Sequence, residues 1–153
     1  MAVEIERKFL VKESEWRPPQ SGKSIRQGYL CQDPERSVRV RLSDDQAFLT
    51  VKGKSEGARR LEFEYPIPCE DAGQMLALCA CCVIEKTRYK VEFAGYTWDV
   101  DEFHGLNKGL VLAEIELEFE EDSVELPPWV GEEVTGDCRY FNLYLARHPF
   151  SRW

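Results

Sequence analysis

Charged residues recur two apart along one stretch of this chain after another, with mostly apolar neighbours on the opposite parity. Side chains two apart share one face of a β-strand, so this spacing is a strand signature and leaves little room for long helices. Glu4, Glu6 and Lys8 share a face in the first such stretch, and Arg39 and Arg41 oppose Val38, Val40 and Leu42 in a later one. Lys52 opposes Leu49 and Val51, and Glu62 and Glu64 oppose Leu61, Phe63 and Tyr65. Lys86 with Arg88, Asp99 with Asp101, and Glu114, Glu116 with Glu118 complete the series. Strands are expected over residues 3–11, 25–31, 37–43, 47–53, 60–67, 83–93, 96–103 and 110–120. Turn chemistry lies between them, as at Asp33-Pro34, Asp44-Asp45, Ala94-Gly95 and the Gly53 to Gly57 stretch.

Helical spacing is confined to short pieces. Residues 70–80 place Ala72, Met75, Leu76 and Cys79 on one stripe. Pro127-Pro128-Trp129 reads as a stiff link. Thr135 or Asp137 then stands where it can cap a C-terminal helix over 139–147, ended by Pro149. A further short helix is expected near residues 14–16. No repeat or linker divides the 153 residues, so one domain spanning 1–153 is expected.

The net charge of −8 argues against nucleic acid as the main partner, because that affinity rests on excess Lys and Arg. An anionic small molecule stays open, since local placement can oppose the net charge. No apolar run reaches membrane length and the first residues are charged where a signal would be apolar. A cytoplasmic protein with reduced thiols and no membrane partner is therefore expected. Cys31, Cys69, Cys79, Cys81, Cys82 and Cys138 form no pair of knuckles for zinc, and the bunched Cys79, Cys81 and Cys82 read as small packing residues at a helix end.

Two architectures fit one strand at a time. In a sandwich the charged faces would simply be solvated. In a closed barrel they would line one concave surface. Few Ser or Thr occupy these positions, although they suit exposed strands, and the ions come in like-signed pairs. Such crowding is costly unless the cations meet phosphate oxygens and the carboxylates meet metal ions. Carboxylates without His or Cys nearby favour hard ions, Mg²⁺ or Mn²⁺. His104 and His148 stand alone. Gly22-Lys23-Ser24 and Gly53-Lys54-Ser55 lack the upstream glycine of a P-loop, which leaves side chains to hold any phosphate.

Glu4-Ile5-Glu6-Arg7-Lys8 resembles the E-x-E-x-K signature of the triphosphate tunnel metalloenzymes, also called the CYTH superfamily. The resemblance continues in order through Arg26-Gln27-Gly28-Tyr29-Leu30, Val38-Arg39-Val40-Arg41, Thr50-Val51-Lys52-Gly53, Glu62-Phe63-Glu64 and Glu85-Lys86-Thr87-Arg88-Tyr89. Asp99-Val100-Asp101, Ala113-Glu114-Ile115-Glu116 and Gly131-Glu132-Glu133-Val134-Thr135 extend it to Arg139-Tyr140. It implies a mostly β (α+β) fold: an eight-stranded antiparallel β-barrel with a charged lumen, a few flanking helices and a C-terminal helix. Among the family's activities, the short bacterial type implies Mg²⁺- or Mn²⁺-dependent hydrolysis of inorganic tripolyphosphate to pyrophosphate and phosphate. Thiamine or nucleoside triphosphatase, a class IV-type adenylyl cyclase and a non-catalytic polyphosphate-binding module remain alternatives, with Trp16, Trp98 and Trp129 able either to stack an organic group or to pack.

By the same resemblance Lys8, Arg39, Arg41, Lys52, Lys86, Arg88 and Arg139 hold phosphate oxygens, Arg139 from the start of the last helix. Asp101, Glu114 and Glu116 resemble the main metal ligands, with Glu4, Glu6, Glu62 and Glu64 binding a second ion or positioning water. Lys8 with Tyr29 resembles a water-activating pair, or Tyr29 simply lines the wall. Asp99 and Glu118 share the ligands' parity without an assigned role.

Overall fold

The structure is a computed structural model, and it describes residues 2–19, 21–79 and 83–153. Eight strands close into an antiparallel barrel: β1 (Val3–Val11), β2 (Lys23–Cys31), β3 (Arg36–Ser43), β4 (Gln46–Gly53), β5 (Arg59–Ile67), β6 (Ile84–Phe93), β7 (Tyr96–Phe103) and β8 (Val111–Glu116). Around the wall they run β5-β4-β3-β2-β6-β7-β8-β1, and Val3–Ile5 of β1 pair with Arg59–Leu61 of β5 to shut the sheet. Closure removes the open edges that would invite pairing with another chain. A ninth strand, β9 (Val130–Glu133), lies outside the barrel and pairs with β1 where β5 has left it, matching Val11 to Val130.

The apolar faces point outward, and short segments cover much of that outer wall. Trp98 of β7, Phe9 of β1 and Ile115 of β8 are fully buried under Trp16 and Trp129, whose ring centroids are 5.0 Å apart. The three tryptophans are packing on the far side of the wall from the lumen. Helix α1 (Cys69–Ala77) lays Ala72 and Leu76 against Val40 and Ala47 of β3 and β4. Glu70 and Asp71 in its first turn suit the positive end of the helix dipole. A Cβ on Gly28 would meet Cys79 Sγ at 2.6 Å, so only glycine in β2 admits this helix end.

Several expected boundaries move. The β6–β7 turn, Ala94-Gly95, has both residues at positive φ, 48° and 85°, as a tight two-residue hairpin requires. Strand β8 stops at Glu116, not 120: Leu117 N donates to Ile5 O, and the Asp122 carboxylate accepts from Phe119 N, which turns the chain away. Glu118 is exposed as a result. The expected helix at residues 14–16 is absent: residues 13–15 form a turn and Trp16 follows it. Helix α1 begins one residue early and ends at Ala77, and the expected end at Ala80, with Cys81 and Cys82, lies outside the described residues. Cys69 and Cys138 are exposed.

The C-terminal helix over 139–147 is two pieces. A 3₁₀ turn, Cys138–Tyr140, is capped by the Asp137 side chain; Phe141 is extended; helix α2, Asn142–Arg147, follows. Leu145 and Ala146 of α2, with Tyr140 and Val134, pack on Leu10, Tyr29, Ile84, Phe103 and Leu112. Those residues continue the lumen faces of their strands, so one end of the barrel is apolar and stoppered. Among the described residues no helix is long and apolar enough to cross a membrane.

Leu145 is fully buried at the centre of this stopper. Leu145→Ala should cost about 2–5 kcal/mol through lost transfer energy and the cavity left behind. Urea unfolding measures it, and a loss below about 1 kcal/mol would mean that the end is not sealed.

Candidate active site

The alternating ions converge on a cavity of about 420 Å³ inside the barrel. Its wall includes Glu4, Glu6 and Lys8 of β1, Tyr29 of β2, and Arg39 and Arg41 of β3. Lys52 of β4 and Glu62 and Glu64 of β5 continue it, followed by Lys86 and Arg88 of β6, Asp99 of β7, and Glu114 and Glu116 of β8. Phe141, Asn142 and Leu143 form the stoppered end.

Opposite charges are interleaved. Lys52 Nζ is 3.3 Å from Glu4 and 3.1 Å from Glu62. Arg39 and Arg41 approach Glu64 at 3.9 and 3.6 Å. Thr50, fully buried between them, donates to Glu64 at 3.1 Å. Lys8 Nζ lies 3.4 Å from Glu114 and donates to the Tyr140 carbonyl at 3.0 Å. Arg88 spans Glu114 at 3.7 Å and Asp99 at 3.5 Å.

Asp101 lies below this surface. It is fully buried, accepts two bonds from Arg88 at 2.7 and 2.8 Å, and lies 2.9 Å from Lys86 Nζ. It does not line the cavity. The family resemblance assigns Asp101 to the metal; here both its oxygens hold cations of the wall. Burial would raise its pKa, but Arg88 and Lys86 overturn that and hold the carboxyl well below its ordinary range. Asp99, left without a role by the sequence, lines the cavity and pairs across the sheet with Glu114. Arg139, expected to contact phosphate, is not among the residues that line the cavity. It forms a two-point pair with Asp137, 2.7 Å at the closest, on the outer side of the stopper.

Two residues at the cavity escaped sequence reading. Arg60 shares parity with Glu62 and Glu64, so the alternation contained it; its guanidinium lies 5.4 Å from the Phe141 ring centroid. Asn142 sits on α2, where period two is silent. Its Oδ1 accepts from Gln27 at 3.0 Å and from Lys86 at 3.1 Å.

Burial and repulsion leave their mark on the ionisation of the wall. Burial, then the neighbouring Arg39, pushes the Arg41 guanidinium down to about 10. Burial lowers Lys86 to about 8 despite Asp101. Glu6 is pushed up to about 8 by burial and then by Glu114 and Glu4. Glu116 is raised by burial, Glu4 and Asp99. Burial opposes ionisation of Glu114 too, yet Lys8 and Arg88 prevail and lower it.

Cations and carboxylates therefore both press toward the cavity. The buried Arg39 Nε has no hydrogen-bond partner, a donor that suits an anionic oxygen. The crowded Glu4, Glu6, Asp99, Glu114 and Glu116 offer only hard oxygen donors, which fit a hard divalent ion that would relieve their repulsion. No three such groups among the described residues converge closely enough to form a ready metal cage. In this state most of these carboxylates lean on cations.

An eight-stranded closed tunnel with an inward, two-signed lumen defines the class of protein. Residues 2–143 match the CYTH domain, and the chain belongs to that family. The inorganic triphosphatase of Acetivibrio thermocellus is 49% identical over 154 residues, covering 100% of this chain and 99% of that protein. The inorganic triphosphatase of Nitrosomonas europaea is 36% identical, covering 94% and 97%. The crystal structure of the inorganic triphosphatase NE1496 superposes with a TM-score of 0.66 at 33% identity, covering 93% of this chain and 96% of that one.

Two stability tests separate wall from ligand. Asp101→Asn strands two buried cations and should cost roughly 3–5 kcal/mol in the metal-free protein; an unchanged urea midpoint would return Asp101 to the ligands. Glu6 holds its proton to about pH 8 when folded but only to its ordinary 4.5 when unfolded. Its contribution is thus intact below pH 4.5 and is lost as pH rises to about 8. Glu6→Gln should therefore raise the melting temperature of the metal-free protein at pH 8, by roughly 2–4 °C for each kcal/mol relieved. A lower melting temperature there would refute the crowding.

Proposed function

We propose that this chain hydrolyses inorganic tripolyphosphate to pyrophosphate and phosphate, as one domain acting in the cytoplasm. The observation that carries this is a stoppered cavity whose cations come from β1, β3, β4, β5 and β6 and face inward together. Triphosphatases of the CYTH family depend on a metal, and for this chain we infer Mg²⁺ or Mn²⁺, because the donors are carboxylate oxygens. When bound, the ion supplies charge neutralisation and polarises the phosphoanhydride.

The chain's own residues supply positioning. Arg39, Arg41, Lys52, Arg60 and Arg88 clamp phosphate oxygens from several strands, with Arg suited to two-point contacts. Glu62 and Glu64 hold Lys52, Arg39 and Arg41 in place. Lys8 and Lys86, anchored to Tyr140 and Asn142, take the phosphate nearest the stopper. Glu4, Glu6, Asp99, Glu114 and Glu116 form the metal-holding side. Water adds to a terminal phosphorus as the anhydride P–O bond breaks; pyrophosphate departs, and the released proton passes to a basic group of the wall. Lys8 and Tyr29 stand closest to the expected role of orienting that water, with Tyr29 buried beside Arg39.

An organic group finds little to rest on. Trp16, Trp98 and Trp129 lie outside the wall, which weighs against a thiamine or nucleoside triphosphatase and against a cyclase. A merely binding module would not need so many carboxylates among the cations.

Turnover should be highest with tripolyphosphate when it is assayed beside ATP and thiamine triphosphate under one metal, and chelation should abolish it. Glu114→Gln and Glu116→Gln should lower it by orders of magnitude, with little loss of stability for Glu116→Gln. Arg41→Ala should weaken binding by about 1.5–3 kcal/mol. Preference for a nucleotide, or wild-type turnover in both Gln variants, would overturn the reading.

A further inference from the structure

The outer side of the stopper carries a second cavity, of about 400 Å³, lined by Arg139, Tyr144, Arg147, His148, Arg152 and Trp153 together with the buried Pro149. That volume is in the range of small-molecule sites. Its charge is anomalous for this protein. From Cys138 to Trp153 the chain holds three arginines and no Asp or Glu, although the whole chain has a net charge of −8.

The arginines are not equivalent. Arg139 is engaged by Asp137 and lies over the Tyr140 and Trp153 rings, 5.4 and 5.7 Å from their centroids. It is a wall. Arg147 and Arg152 are exposed and have no ion pair or side-chain hydrogen bond among the described residues.

The aromatic side is held in place. Trp153 is 47% exposed, yet its Nε1 donates to the His148 carbonyl at 3.0 Å, and Tyr140 and Phe150 abut its ring. Phe150 is itself anchored, its N–H donating to the buried Asn107 side chain at 2.8 Å. His148 stacks on Tyr144 with centroids 4.3 Å apart. Planar aromatic surfaces held beside uncommitted guanidiniums suit a ligand that is both aromatic and anionic.

We propose that this cavity is a nucleotide-binding site separate from the tunnel, with phosphate between Arg147 and Arg152 and the base against Trp153. Guanidinium–phosphate pairing supplies the charge contact, and the fixed rings lose little freedom on stacking. The site does not depend on the tunnel's reaction. It touches the tunnel only from behind, through the segment whose inner face gives Tyr140 O to Lys8 and Asn142 to Lys86.

Calorimetric titration of the full chain with ADP in chelator tests it. ADP should bind once per chain, and binding should persist when tripolyphosphate is present in excess and in the tunnel variant Arg41→Ala. It should weaken about tenfold or more in Arg147→Glu, Arg152→Glu and Trp153→Leu, each removing a main contact. Arg147 and Arg152 are surface positions, so unchanged melting temperatures should accompany those two losses. The proposal is overturned if ADP does not bind, if these three variants bind it as the wild type does, or if Arg41→Ala alone abolishes it. Pyrophosphate competing as strongly as ADP would equally overturn it, because the rings would then contribute nothing.

Discussion

The carboxylate of Asp101, held between Arg88 and Lys86 beneath the lumen surface, is the contact on which the charged interior depends. Two cations cannot be buried in a barrel wall without a partner that neutralises and orients them. From Asp101 the connections spread outward. Arg88 reaches Asp99 and Glu114, Glu114 meets Lys8, and Lys8 and Lys86 end on the C-terminal stopper at Tyr140 and Asn142. An apolar triad of similar volume would serve stability as well or better. The retained ions hold side chains at fixed points around a cavity, which is a matter of geometry.

This interior also explains why the apolar material lies outside. A lumen filled with ions cannot supply a hydrophobic core, so burial is obtained by wrapping the wall. Trp16, Trp129 and α1 each cover apolar strand faces that a barrel with an oily centre would have turned inward. β1 is the seam of this plan: it pairs with β8 along one edge and with β5 and then β9 along the other. The E-x-E-x-K stretch is therefore structural as well as chemical.

Much of this was legible before any coordinates. Eight strands and their inward faces follow from period two, because the lumen imposes ions on alternate residues of Arg39-Val40-Arg41 and Glu62-Phe63-Glu64. What was not legible arose where other rules govern. Parity cannot tell Asp99 from Asp101, yet Asp99 lines the cavity while Asp101 is fully buried and does not. Arg139, assigned to phosphate by the family resemblance, is held by Asp137 in a two-point pair that the residue pattern does not announce. Asn142 lies on a helix, where alternation has no meaning. β9 was hidden by its brevity and by the prolines before it, since its pairing depends on an edge of β1 that only closure reveals.

The stopper has a consequence for traffic. With one end filled by Leu145, Ala146 and their neighbours, the barrel is a cup, not a pipe. Among the described residues that end is filled, so reactant, water and both products share the other end as their doorway. A long phosphate polymer can offer only its tip, and the fragment deepest in the cup must wait for the outer one to leave. The order of departure is thus imposed by architecture, whatever the affinity of either fragment for the wall.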